Sequence, residues 1–125
     1  MKNEEIKYID YQIYILLITI VTTIIAIIIT YNQKLGLQKK QKLFDPETAL
    51  KITKYNRIII LITGILFLYI NYKLYKLSEE EGEDLKSYKL QIIASILVVI
   101  SELIALYVIT LSSTETISDV ENPNI

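Results

Sequence analysis

The chain has 125 residues, 52% of them hydrophobic, and a formal net charge of -1 at pH 7. It contains no cysteine, histidine or tryptophan, which excludes disulfides, thiol nucleophiles, histidine triads and the common zinc and haem ligand sets. The near-neutral total hides a segregation: Lys34, Lys39, Lys40, Lys42, Lys51, Lys54 and Arg57 form one block, and Glu79, Glu80, Glu81, Glu83 and Asp84 another.

Residues 1–10 are a short polar segment carrying Lys2, Glu4, Glu5, Lys7 and Asp10. From Tyr11 to Gln33 no residue is charged. A helix rises about 1.5 Å per residue and the hydrocarbon core is about 30 Å thick, so roughly 20 such residues cross it. The pattern predicts a first membrane span over 11–31. The apolar run exceeds the roughly 7–15 residues of a signal-peptide core, and no small-x-small cleavage site follows it, so it reads as a retained anchor.

The basic connection after Asn32 ends in Asp45-Pro46-Glu47. Asp45 suits an N-cap, Pro46 the first helical position and Glu47 the positive end of the helix dipole, which predicts a second helix from residue 46. Its first turns, with Lys51, Lys54 and Arg57, are expected at headgroup level, and its span over 56–73. Gly82 can take the left-handed conformation that ends a helix. Glu83 and Asp84 are then expected in the first turn of a third helix, which spans 90–111. The tail 113–125, rich in Ser, Thr, Asn and acids, is expected to be disordered.

Tyr8, Tyr11, Tyr14, Tyr31, Tyr69 and Tyr72 fall near the ends of these spans, where a ring is buried while its hydroxyl stays wet. The predicted fold is therefore all-α: an integral membrane domain over 11–112, with three transmembrane helices in an antiparallel up-down-up bundle. More lysines follow the first span than precede it, so the expected multi-pass topology in the cell membrane has the N-terminus outside and the C-terminus cytoplasmic. Abundant Ile, Lys, Asn and Tyr, all with AT-rich codons, suggest a low-GC bacterial source.

Glu102 is the sharpest candidate site residue. A carboxylate near the middle of an isolated span costs several kcal/mol or more even on the lower estimates, so it should face protein. Gln91, Ser95, Val98, Glu102 and Ala105 share one face with Ser101 beside it. Thr19, Thr23, Ala26 and Thr30 form a similar stripe in span one, and Arg57, Gly64 and Asn71 one in span two. The three stripes are expected to share an interior, with Gly64, Ala94, Ala105 and Ala26 as close-packing positions and Arg57 as a partner for Glu102. The acidic run Glu79–Asp84 lacks calcium-loop spacing and is broken by Gly82, so it reads as a solvated turn. The basic block with Leu43 and Phe44 reads as a topology and solubility signal that also attracts anionic lipid.

No serine–histidine or paired-aspartate arrangement lies within the spans. The residues thus point to a non-enzymatic membrane protein without cofactor or metal. Its expected partners are the bilayer and either a second copy or another membrane protein, with no nucleic acid. Its expected role is that of an accessory, immunity-type or regulatory subunit. The alternative is an oligomeric pore or small transporter, holin-like or proton- or cation-coupled, using Glu102.

Overall fold

The computed structural model describes the backbone of residues 2–121 and the side chains of residues 3–111. The tail expected to be disordered, 113–125, lies outside the residues whose side chains are described. The described chain folds into α1 (Lys2–Leu37), α2 (Pro46–Glu80) and α3 (Lys86–Glu121). At 36, 35 and 36 residues each helix is about 50 Å long. Each holds a stretch long and apolar enough to cross a membrane.

Local chemistry sets the helix ends. α1 closes in a Schellman turn, in which Lys40 N–H donates to Leu35 O and Lys39 N–H to Gly36 O. The left-handed residue of that turn is Lys39, with φ 59°. α2 opens as its sequence predicts: the Asp45 carboxylate accepts from Thr48 N–H at 2.7 Å and Pro46 takes the first turn. That hydrogen bond holds the Asp45 carboxyl below its usual range. α2 closes in a second Schellman turn around Gly82, φ 73°.

The start of α3 differs from expectation. The helix begins at Lys86, so Glu83 and Asp84 precede its first turn. Asp84 Oδ1 instead accepts from Lys86 N–H at 3.1 Å. Glu83 is engaged by the preceding turn, where its N–H donates to Ser78 O.

α2 is the central helix: 28% of its most apolar stretch is buried, against 11% in α1 and 6% in α3. It packs on both neighbours, whereas no Cα of α1 lies within 8 Å of one of α3 among the described residues. The register is set by polar contacts whose numbering runs in opposite directions along each pair. Gln12 meets Asn71 and Thr22 meets Asn56; Asn71 meets Ser95 and Arg57 meets Glu102. Asn56 thus sits beside the middle of the apolar stretch of α1. The first turns of α2 therefore run alongside the second half of that stretch. Lys51 and Lys54 are exposed there.

The distribution of polarity is inverted relative to a water-soluble core. The buried polar residues are Thr22, Asn32, Asn56, Thr63, Asn71, Ser78 and Ser95; the buried hydrophobic ones are Ile15, Leu35, Ile70, Leu74 and Leu77. Ile13, Leu17, Ile27, Leu97, Leu103 and Ile104 are all exposed. Because a Cβ in the left-handed region costs about 1–2 kcal/mol, Gly82→Ala should destabilise the fold by that amount and Lys39→Gly should stabilise it. Reversible unfolding in mixed micelles checks both signs.

Candidate functional site: an open groove

Asn71 is the centre of the polar interior and is 2% exposed. Its Nδ2 donates to Ser95 Oγ on α3 at 2.6 Å, and its Oδ1 accepts from Gln12 Nε2 on α1 at 3.1 Å. Ser95 Oγ in turn donates to Gln91 O at 2.8 Å. One side chain of α2 thereby ties both outer helices. About four helical turns toward the α2 N-terminus, Asn56 Nδ2 donates to Thr22 O at 3.0 Å, while its buried Oδ1 has no partner among the described residues. In the α1–α2 connection Asn32 Oδ1 accepts from Phe44 N–H at 2.9 Å and fixes the loop.

Because α1 and α3 stand apart on either side of α2, the three polar stripes do not close into an interior. They line an open groove of about 320 Å³. α2 supplies its floor through Ile60, Thr63, Gly64, Phe67 and Asn71. α1 contributes Ile15, Leu16 and Thr19, and α3 contributes Gln91, Ala94, Ser95 and Val98. A Cβ on Gly64 would lie 3.7 Å from Val98 and Val99, so this glycine sets an ordinary helix contact inside the chain.

The residues singled out by sequence distribute as follows. Asn71 and Ser95 are buried; Gln91, Thr19 and Ala94 are exposed but line the groove; Ala26 and Ala105 are half-buried; Ser101 and Thr23 are exposed. On α1 the buried threonine is Thr22, one position from the expected Thr23, whose hydroxyl donates to Thr19 O in its own helix at 2.8 Å. Thr19, Thr22, Thr30, Thr63 and Thr110 bond their own helix in the same way, which leaves little hydroxyl capacity for lining a pore.

Arg57 Nη1 lies 3.5 Å from Glu102 Oε2, with side-chain exposures of 40% and 14%. The pair is close enough for attraction, yet Oε2 is buried and makes no aligned hydrogen bond. Sequence reasoning missed Gln12, Thr22, Asn56 and Thr63. The signal for two of them was the seven-residue step from Asn56 to Thr63 on to Ile70, which keeps one face of α2 toward its neighbours.

At the α2–α3 turn the carboxylates of Glu81 and Glu83 meet that of Glu5 from the first turns of α1, all within 4.8 Å of one another. A hydrogen bond with Glu81, together with desolvation and charge repulsion, raises the Glu83 carboxyl above its usual 4.5. The buried Glu5 Oε1 has no partner. At the opposite end stand the exposed cations Lys34, Lys39, Lys40, Lys42, Lys51 and Lys54. The groove therefore runs between an acidic and a basic end.

Replacing Asn71 by leucine takes the acceptor from the Gln12 amide and one donor from Ser95 Oγ, and should destabilise by about 1–2 kcal/mol; Thr23→Val should change stability less. A folded-state Glu83 pKa above the unfolded value means the folded chain binds its proton more tightly, so stability falls as pH rises from about 4.5 through the raised value. Asp45, shifted the other way, withdraws its contribution only as pH falls below its ordinary 3.8. Unfolding midpoints from pH 3 to pH 7, roughly the range spanned by these carboxylates, should show the first slope in the parent chain and not in Glu83→Gln. Comparison with protein-family models, with curated proteins and with solved structures found no match to this chain.

Proposed function

We propose that this chain is a small, non-enzymatic, multi-pass membrane protein that acts by docking a further transmembrane helix in the groove between α1 and α3. Three helices with apolar outer faces and hydrogen-bonded polar inner faces suit a solvent of lipid chains. The opposed contact order along each helix pair supports an antiparallel up-down-up arrangement. The distribution of lysines supports an outside N-terminus and a cytoplasmic C-terminus.

The observation that carries the reading is the groove itself. Small side chains, Thr19, Thr63, Gly64, Ala94 and Ser95, line it among the apolar Ile15, Leu16, Ile60, Phe67 and Val98. In hydrocarbon, helices associate through close van der Waals packing and interhelical hydrogen bonds, both of which such residues favour. Gln91 lines the same groove and its side-chain amide makes no hydrogen bond among the described residues. A docked helix would give it a partner.

In detergent or nanodiscs the protein should run as an assembly larger than its own 14.5 kDa. Ala94→Leu, which fills the groove from an exposed position, should release the chain from that assembly and leave membrane insertion intact. A strictly monomeric parent protein with nothing bound overturns the reading.

A second reading rests on the incompletely bonded Glu102 beside Arg57: oligomers in which this carboxylate handles a proton or cation. It requires ion flux in liposomes that Glu102→Gln abolishes, and silent proteoliposomes of correctly inserted protein overturn it.

A further inference from the structure

We infer that the groove is filled by α3 of a second copy, giving a two-fold dimer whose axis runs along the helices between the two α3 helices. This rests on the docking reading and names its occupant. The choice of α3 comes from its groove-side face, from the charges at its two ends and from the shape of the monomer.

On α3, Ser87, Ala94 and Ser101 recur at seven-residue steps, interleaved with Gln91, Val98 and Ala105. This spacing keeps a narrow seam on one side of a helix that packs closely on another. All but Ala105 are exposed in the single chain. Gln91, Ala94 and Val98 from this seam form the α3 wall of the groove. The seam therefore faces any helix lying in the groove, and offers it small side chains and one unpaired amide.

Charge selects the direction and the identity of that helix. The groove's acidic end holds Glu5, Glu81 and Glu83, none of which has an ion-pair partner among the described residues. Its basic end holds the lysines of the α1–α2 connection. A complementary helix carries cations at the first end and acids at the second. α3 does so: Lys86 and Lys89, both exposed and without an ion-pair partner among the described residues, stand at its start, and the sequence after Leu111 contains Glu115, Asp119 and Glu121 with no Lys or Arg. α1 fits less well, since Glu4, Glu5 and Asp10 outnumber Lys2 and Lys7 at the acidic end and Lys34 stands at the basic end.

The geometry closes on itself. Two copies with the same membrane orientation are related by a two-fold axis along the membrane normal. If α3 of one copy lies over α2 of the other, flanked by that copy's α1 and α3, the same rotation places the first copy's α3 in the equivalent groove. Both grooves fill at once, and the interface is self-complementary. The two Gln91 side chains then face each other across the axis, within reach of reciprocal amide hydrogen bonds.

Because the chain has no cysteine, single cysteines report the contact directly. Ala94→Cys and Ser101→Cys on the seam should form intermolecular disulfides on mild oxidation in nanodiscs. Their yield should be at least tenfold above that of Leu103→Cys, which is exposed on the far side of the helix. Lys86→Glu should weaken dimerisation at least tenfold, and the further exchange Glu81→Lys with Glu83→Lys should restore it. A stable dimer that cross-links at Leu103 and not at Ala94 or Ser101 overturns this inference. So does a one-to-one complex with a different protein that Ala94→Leu dissolves, although that result keeps the docking reading. A monomer throughout removes both.

Discussion

Everything in this structure depends on how its buried polar atoms find partners. In hydrocarbon an unpaired amide or hydroxyl costs several kcal/mol. The cheapest solution for a hydroxyl is its own helix, and the threonines take it. The larger amides reach across: Asn71 to both neighbours, Asn56 to the α1 backbone, Asn32 to the loop. Those few bonds set the helix register, because the apolar contacts around them would tolerate a slide of a residue or two.

The same constraint explains why α2 is central. It is the helix with asparagines on two flanks of one face, so it alone can bond to two neighbours at once. α1 and α3 each turn one set of partners toward α2, Gln12 with Thr22 and Ser95 with Glu102. Among the described residues α1 and α3 stay apart, and the polar stripes end at an open groove. Asn56 Oδ1 on α2 and Glu102 Oε2 on α3 are left without a hydrogen-bond partner among the described residues.

Asp45-Pro46 and Gly82 were legible in sequence because capping is a local affair of three or four residues, and both helix ends fall where those residues put them. The start of α3 was less so: Glu83 and Asp84 favour a first turn by their charge, but the Schellman turn around Gly82 uses the Glu83 N–H first and delays the helix to Lys86. The pairing of Arg57 with Glu102 at 3.5 Å could be framed in advance because only one cation lies at comparable depth. The meeting of Glu5 with Glu81 and Glu83 could not, since nothing in an acidic run says which distant carboxylate will stand beside it.

Sequence by itself determined that there are three long apolar helices, where α2 begins, and that Asn71 and Ser95 belong to polar faces turned inward. Each of these follows from hydropathy, helical rise and capping, which are read within one segment. Tertiary structure alone decided that Thr22 and not Thr23 is buried, that Gln12 and Asn56 are anchors, and that α1 and α3 leave a groove between them. Those outcomes turn on the rotation of each helix about its axis and its slide past its neighbour. A helix that is apolar nearly all round carries too weak a pattern to fix either one, so contacts with the other helices must.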